Sequence, residues 1–247
     1  MIVDAINFGG EIDMLLGRLN HHKDFVDLFV ISECDKTYTG MYKGFNFAEH
    51  DDLFEEFLPK IIYKQNYHLG DSHAWNNEYH QRKHMNQILR ELNLSDEDAV
   101  FYFDTDEWID FKNLALPTEP TAFNMKKFLF SVHWYQKNEL TGFGAQYAYI
   151  KHNDINAMRW ARNSFRIIDN GWHWTSLGTL EYHLQKLRSF SHTELLIDGW
   201  EQKATRSWQE GIDFLTNEYY QELEIQEDYP DLIKDRKAPA TWYRKRS

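Results

Sequence analysis

Apolar runs alternate with helical spacing patterns through residues 1–110. The runs MIVDAIN, FVDLFVISE, KIIYKQ and AVFYFD each predict a strand. Between them, GGEIDMLLGRLNHH and WNNEYHQRKHMNQILRELNL repeat apolar residues at helical spacing, which predicts amphipathic helices, and DDLFEEFL predicts a shorter one. Strands separated by helices pair in parallel through right-handed crossovers. The pattern therefore predicts an α/β fold, with a Rossmann-like mixed and mainly parallel sheet flanked by helices.

The pattern changes after residue 120. TAFNMKKFLFSVHWY and AQYAYI predict longer, partly antiparallel strands, NDINAMRWA predicts a short helix, and SFRIID predicts another strand. From residue 178 the spacing is mostly helical. Because no Pro/Gly/Ser linker interrupts the chain, we expect one domain over 1–247. We divide it into residues 1–110, residues 111–195 and a helical C-terminal extension (196–247).

The fourth predicted strand runs directly into a cluster of acids, Asp104, Asp106 and Glu107. Carboxylates this close repel one another and raise one another's pKa unless cations or hydrogen-bond donors compensate them. The cluster follows the carboxyl end of a strand, where open α/β sheets bind their ligands. A second Asp-x-Asp, Asp96 and Asp98, precedes the strand, where turn and capping chemistry explains it. We therefore favour a functional role for the first cluster.

Carboxylate oxygens suit Mg²⁺ or Mn²⁺, which complete their coordination with water and substrate phosphates. Two reaction classes use such a site: sugar transfer from a nucleotide diphosphate, and phosphoryl transfer or hydrolysis through an aspartyl nucleophile. The second class usually places its aspartates on the first strand, before a β-branched residue. Here Glu107 and Trp108 follow, far along the chain. The sequence therefore favours a site for a metal and a nucleotide sugar.

Composition narrows the class of protein. A formal net charge of −12 and a pI near 5.4 argue against a broad contact with nucleic acid or an anionic membrane. No apolar run is long enough to span a bilayer, the N-terminus lacks a signal-peptide pattern, and Cys34 is the only cysteine. We expect a cytoplasmic protein without a disulfide.

Five blocks make the chain recognisable: EIDMLLGRLN, VDLFVISECDKTYTG, FDTDEWID, PTAFNMKKFLFSVHW and GWHWTSLGTLEYHLQKLRSFSHTE. In this order they resemble glycosyltransferase family 17. The resemblance implies a fold of the GT-A type, a nucleotide-sugar donor, usually UDP-N-acetylglucosamine, and inversion at the anomeric carbon. It makes 1–110 the expected nucleotide-binding half and 111–195 the expected acceptor and metal half. The chain departs from the family where Trp108 and Ile109 replace a common Ile-Pro, and where the membrane anchor of the animal enzymes has no counterpart.

The resemblance assigns roles to the acids. Asp104 and Asp106 are the expected ligands of the metal and the donor diphosphate, with Asp106 the more direct. A later histidine often completes such a site, which makes His173 and His192 the candidates. The base that accepts the acceptor proton is expected to be Glu107, and the further candidates are Asp110, Glu181 and Glu194.

The donor nucleotide is expected at the ends of the first two strands. Asn7, Ser32 and Glu33 end these strands and should face the base and ribose. The segment DKTYTG then predicts a donor-site loop. Arg82 and Lys83, on the predicted helix that precedes the acid cluster, are expected near the diphosphate. Tryptophans are candidate platforms for sugar rings, in particular Trp134, Trp172 and Trp174.

Together these features predict a metal-dependent inverting glycosyltransferase. It would move N-acetylglucosamine or another hexose from a UDP-sugar to a glycan or other intracellular acceptor. Three alternatives stay open: a glycosyltransferase acting on modified nucleic-acid bases, an aspartyl phosphatase, and a non-catalytic carbohydrate-binding protein.

Overall fold

The computed structural model describes residues 1–67, 70–112 and 114–246. The strands are β1 (Ile2–Phe8), β2 (Leu28–Cys34), β3 (Ile61–Asn66), β4 (Ala99–Asp104), β5 (Glu107–Trp108), β6 (Thr121–Leu129), β7 (Trp134–Gln146), β8 (Arg166–Thr175) and β9 (Gln221–Glu222). The α-helices are α1 (Ile12–His22), α2 (Asn46–Glu49), α3 (Ala74–Glu91), α4 (Tyr147–Ile150), α5 (Ile155–Trp160), α6 (Leu180–Ser189), α7 (Trp200–Glu210) and α8 (Asp231–Lys234). Within these ranges no helix is long and apolar enough to cross a membrane.

One mixed sheet contains all of these strands, in the order β3-β2-β1-β4-β7-β6-β8-β5, with β9 paired to β7. The first four strands in this order are parallel, as the sequence predicts. β7 then runs antiparallel to β4 and β6, and β6 is parallel to β8. The predicted α/β fold of the GT-A type, with helices beyond the sheet in the C-terminal region, is confirmed.

Both faces of the parallel strands are covered, which explains their continuous apolar sequences. On one face Leu15 and Leu19 of α1 pack with Phe101 and Phe103 of β4. The other face holds a second buried cluster, in which α3 contributes Met85, Ile88 and Leu89 and α5 contributes Ile155 and Met158. The helices thus hold the sheet in place while the carboxyl ends of its strands stay open.

The segment AQYAYI is not the predicted strand. β7 ends at Gln146, and Tyr147–Ile150 forms the helical turn α4. The backbone N–H groups of Tyr147 and Ala148 donate to the carbonyls of Asp98 and Asp96, at 2.8 and 3.1 Å. These tertiary hydrogen bonds, together with burial of Tyr147 and Ile150, outweigh the strand propensity of the aromatic residues. The DDLFEEFL segment likewise forms a 3₁₀ turn at Asp51–Phe54 in place of an α-helix.

The short strand β5 carries the chain from the acid cluster to β8. Glu107 lies opposite His173 and Trp108 lies opposite Trp172. The approach is close at Gly171, where φ is +85° and an added Cβ would lie 2.3 Å from the carbonyl oxygen of Trp108. Glycine is the residue that tolerates both conditions. This pairing brings residues more than 60 positions apart to one site.

The three tryptophans suggested as sugar platforms are core residues. Trp134 and Trp174 are fully buried, and Trp172 is 2% exposed. Trp172 and Trp174 pack with Trp108 and Tyr229 in a cluster that also includes Trp242. The C-terminal region therefore covers the β5–β8 pair, and these indole rings are not available to a ligand.

A buried ion pair connects α1 to β1, and its arginine also bonds the backbone of β4. Arg18 and Asp4 are both fully buried, and the guanidinium bonds both carboxylate oxygens at 2.5 and 3.1 Å. Asp4 also bonds Nδ1 of His22 at 2.7 Å. The remaining Nη1 of Arg18 donates to the carbonyl oxygen of Asp104 at 2.6 Å. The network therefore fixes the last residue of β4, where the acid cluster begins.

We predict that Asp4→Asn destabilises the protein by about 3–5 kcal/mol, because it leaves the Arg18 charge buried without its partner. The free energy of urea unfolding measures this. Asp13→Asn is the matched control, since Asp13 is an exposed residue of α1, and it should change stability by less than about 0.5 kcal/mol. Equal losses in the two variants would contradict the assigned role of the network.

Candidate active site at the carboxyl end of β4

A cleft with a volume of about 440 Å³ opens at the carboxyl ends of β1 and β4. Its lining comes from several elements that are distant in sequence. These include Asn7 of β1, Tyr38 of the loop after β2, Arg82 of α3, His173 of β8 and Lys186 of α6. Asp104, Asp106 and Glu107 lie on its wall. The acid cluster therefore faces the cleft, as predicted for a ligand site.

The turn that carries the acids is fixed by its own side chains. The Thr105 hydroxyl donates to the Asn7 carbonyl at 3.0 Å, and the indole N–H of Trp108 donates to the Thr105 carbonyl at 3.1 Å. The backbone N–H of Asp104 donates to Oε2 of Glu107 at 3.0 Å. Because these bonds set the turn, the aspartates on either side of Thr105 are held in defined positions before any ligand binds.

Two arginines compensate Asp104. Its Oδ2 lies 2.7 Å from Nη2 of Arg159 and 3.2 Å from Nη2 of Arg82. Burial alone would raise the pKa of this carboxyl, but Arg159 and then Arg82 outweigh burial and lower it below its usual value. The other oxygen, Oδ1, is buried and has no hydrogen-bond partner among the described residues. Asp104 thus keeps one acceptor atom free.

Asp106 has a different set of cations. Its Oδ2 bonds Nζ of Lys186 at 2.6 Å, and its Oδ1 lies 3.6 Å from Nε2 of His173. Burial opposes ionisation, yet Lys186 and then His173 hold the pKa of Asp106 well below its usual value. Lys186 and Asp106 are 80 residues apart in the chain. The ion pair therefore connects α6 to the turn after β4.

His173 carries a positive charge between two carboxylates, those of Asp106 and Glu139. Its Nδ1 lies 2.8 Å from Oε2 of Glu139, and its Nε2 lies 2.6 Å from the Thr175 hydroxyl. Burial lowers the pKa of His173, but Asp106 and Glu139 outweigh that effect and raise the pKa to about 9. In this arrangement His173 is a charge partner of Asp106. Its predicted role as a metal ligand requires a neutral nitrogen and stays a prediction.

We tested whether these residues fit the divalent cation that the family implies. No three His, Cys, Asp or Glu side chains within the described ranges are grouped so as to hold a metal ion. Mg²⁺ and Mn²⁺ need only one or two protein carboxylates when substrate phosphates and water supply the other ligands. The unpartnered Oδ1 of Asp104, on the same turn as Asp106, fits that requirement. His192 is on the cleft rim, half-exposed and bonded to Glu194 at 2.6 Å.

Glu107 is in the cleft wall but is held by an arginine. Its two oxygens lie 2.7 and 3.0 Å from Nη2 and Nη1 of Arg159, and the residue is 2% exposed. Glu107 thereby positions both Arg159 and the backbone of Asp104. It would accept an acceptor proton only after that pairing loosened, so its role as base stays a prediction. The other candidate bases, Asp110, Glu181 and Glu194, lie outside the cleft lining.

Only one of the three residues predicted to contact the nucleotide lines the cleft. Asn7 lines it, and its Nδ2 is buried with no partner among the described residues. Ser32 is beside Asn7 in register, but its hydroxyl bonds Nδ1 of His84 at 2.9 Å. Glu33 points to the opposite face, because side chains alternate along a strand. There it accepts from Lys43 and from the backbone N–H groups of residues 46 and 47.

The two basic residues predicted near the diphosphate separate in the structure. Arg82 lines the cleft, whereas Lys83 is exposed with its Nζ 5.8 Å from the ring centre of Tyr79. Consecutive helical residues point about 100° apart, so one face of α3 presents only one of them. Lys83 is therefore not a donor-site residue in this structure.

Sequence reasoning missed several cleft residues. They include Glu11, Lys127, Glu139, Arg159, Arg162 and Lys186. Arg159 gave one signal in the sequence, because it is a basic residue that directly follows the apolar Met158 in a short predicted helix. Glu11 is distinctive because its Oε2 is buried without a partner among the described residues and burial raises its pKa.

Comparison with known proteins identifies the family. The profile of glycosyltransferase family 17 matches residues 1–212. The chain belongs to glycosyltransferase family 17. Two β-1,4-mannosyl-glycoprotein 4-β-N-acetylglucosaminyltransferases, from Rattus norvegicus and Homo sapiens, are each 30% identical over 153 residues, 56% of this chain. The matched part spans 28% of the length of those enzymes, little more than a quarter.

A solved structure is also similar to the chain. It is that of the galactosyltransferase LgtC in complex with donor and acceptor sugar analogues. The TM-score is 0.36 at 13% identity, and the match covers 83% of each chain. Membership of family 17 rests on the sequence match, confirms the resemblance seen in the sequence, and favours glycosyl transfer over the phosphatase and carbohydrate-binding alternatives.

We predict that the contribution of His173 to stability depends on pH with a defined sign. Its folded pKa of about 9 exceeds the unfolded value of about 6.5. Its ion pairs therefore stabilise the fold fully below pH 6.5, and this contribution is lost as the pH rises through 9. In metal-free buffer, the unfolding free energies of wild type and His173→Gln should converge by about 3 kcal/mol between pH 6 and 10. A constant or growing difference would contradict the assignment.

Proposed function

We propose that the protein transfers a sugar, N-acetylglucosamine or another hexose, from a UDP-sugar to a glycan acceptor, with inversion and with Mn²⁺ or Mg²⁺ at Asp104 and Asp106. The observation that carries the proposal is the cleft itself. It combines two fixed aspartates, one with an unpartnered oxygen, and the cations Arg82, Arg159 and Lys186. Membership of family 17 supports the same chemistry.

In the proposed reaction an acceptor hydroxyl oxygen forms a bond to the anomeric carbon. The bond from that carbon to the diphosphate oxygen breaks, its electron pair leaves with the nucleoside diphosphate, and the hydroxyl proton passes to a base. A bound divalent cation would neutralise the charge that develops on the leaving diphosphate. Lys186 and Arg82, which line the cleft, are proposed to neutralise the rest of that charge.

The nucleoside is proposed to bind beside β1 and the loop after β2. Asn7 offers an unpartnered amide there. The backbone N–H of Tyr38 donates to Ser189 at 3.1 Å, and its carbonyl accepts from Asn77 at 2.8 Å, so the loop is fixed by both α6 and α3. A prepared wall of this kind lowers the entropy that donor binding costs.

The base stays the least constrained part of the proposal. Glu107 is the predicted residue, and its pairing with Arg159 would have to loosen in the donor complex. Glu11 is another carboxylate of the cleft that has an unpartnered oxygen among the described residues, and burial raises its pKa although Lys186 acts to lower it. The predicted cytoplasmic location and the identity of the acceptor stay predictions.

Calorimetric titration tests the donor site. Wild-type protein should bind UDP and a UDP-sugar with Mn²⁺ and bind them more weakly after the metal is removed. Asp106→Ala should weaken the binding by at least about tenfold, which is about 1.4 kcal/mol. GDP-mannose serves as the competing donor. Folded wild-type protein that binds no nucleotide would refute the proposal.

The chain supplies its own matched control. Asp96 belongs to the second Asp-x-Asp, is exposed, and pairs with Lys151 away from the cleft. Asp96→Ala should bind UDP as wild type does. Lys186→Met gives a second variant, because removing the lysine frees Oδ2 of Asp106. It should bind Mn²⁺ alone more tightly than wild type and UDP more weakly, whereas a parallel loss of both would contradict the assigned competition.

A further inference from the structure

A second groove adjoins the cleft and shares one face of α3 with it. Its volume is about 370 Å³, and it is lined by Trp75, Glu78, Tyr79, Arg82, Asn156 and Trp160. The four α3 residues recur at helical spacing, so they form one face of that helix. Asn156 and Trp160 are four positions apart on α5 and form the facing wall.

The groove exposes an unusual amount of aromatic surface. Trp160 is 61% exposed although it ends a helix whose Ile155 and Met158 are in the core. Tyr79 is 36% exposed, and the ring centres of Trp75 and Trp160 are 6.0 Å apart with the planes tilted by 50°. Large exposed aromatic residues gathered in one place mark binding surfaces more often than isolated ones do.

The groove is preformed, because α3 fixes the start of α5. The Asn86 side chain accepts from the backbone N–H of Ile155 at 2.8 Å and donates to the Asn153 carbonyl at 3.0 Å. Asp154 caps α5 by accepting from Ala157 at 2.9 Å. The first turn of α5 therefore keeps its position relative to α3 without a ligand.

The groove is continuous with the cleft. Trp75, Glu78 and Arg82 line both. Arg82 pairs with Glu78 at 2.6 Å and with Asp104 at 3.2 Å, so the shared floor touches the acid cluster directly. A molecule bound in the groove would lie next to a sugar bound at Asp104, which is the position that the acceptor in a transfer reaction must take.

We propose that this groove binds the acceptor glycan, with a pyranose ring stacked on Trp160 and Trp75; the inference rests on the proposed glycosyl transfer. A pyranose presents C–H groups on its face and hydroxyls on its edge. The indole rings match the face, and the paired Glu78 and Arg82 match the hydroxyls. A polyanionic acceptor fits less well, since the protein carries a net charge of −12.

Saturation-transfer NMR with methyl β-D-mannopyranoside tests the site, with UDP and Mn²⁺ present; a β-mannosyl group appears in the names of the relatives. Wild type and Trp160→Phe should transfer saturation to the sugar, whereas Trp160→Ala should bind it about tenfold more weakly. Tyr219→Ala is the control, because Tyr219 is 67% exposed and lies outside the groove. Thermal unfolding should be unchanged in all variants.

The outcomes separate the two proposals. Undiminished saturation transfer from Trp160→Ala to the sugar, or none from wild type to the sugar, would overturn the acceptor groove. UDP binding measured by calorimetry on the same samples reports on the donor site alone. If wild type binds UDP but Trp160→Ala binds the mannoside as well as wild type does, only the groove is refuted. If wild type does not bind UDP, the proposed function is refuted. Selective loss at Trp160→Ala, with UDP binding and slow donor hydrolysis by water both unchanged, supports the groove.

Discussion

Negative charge that collects at the carboxyl end of β4 has to be compensated by cations; three helices each supply one, and a fourth helix bonds the backbone at the same place. Arg18 of α1 bonds the Asp104 carbonyl, Arg82 of α3 and Arg159 of α5 pair with the Asp104 carboxylate, and Lys186 of α6 pairs with Asp106. Unpaired buried carboxylates would cost several kcal/mol each. The positions of α1, α3, α5 and α6 around the sheet are therefore coupled to the chemistry of one short turn.

The same arrangement would suit the diphosphate of the proposed donor. Asp104 and Asp106 hold the cations in place, and a bound diphosphate would offer those cations a second set of negative oxygens. Preorganised charges of this kind cost little reorganisation when charge develops in a reaction. In the proposed arrangement the groove beside Arg82 would extend the site toward the acceptor, since α3 contributes one face to both groove and cleft.

The local pattern was enough to predict the parallel strands β1–β4 and the position of Asp104 and Asp106 at the end of β4. Each apolar strand, and the change from apolar to acidic residues, is a feature of consecutive residues. The side-chain partners were harder to predict. Lys186 and Asp106 are 80 residues apart, and nothing near either residue indicates the other. Glu33 points away from the cleft because side chains alternate between the two faces of β2. Lys83 points away from it because consecutive residues of a helix are rotated by about 100°. AQYAYI became a helical turn because of hydrogen bonds to residues 96 and 98, which propensity does not report.

The most direct test of the account is a crystal structure of the protein with UDP and Mn²⁺, with data collected at the manganese absorption edge. The account predicts an anomalous peak at about 2.1 Å from an oxygen of Asp104 or Asp106 and from a diphosphate oxygen, with Lys186 moved from Asp106 toward the phosphates. A nucleotide bound elsewhere on the protein, or a manganese peak away from both aspartates, would contradict it.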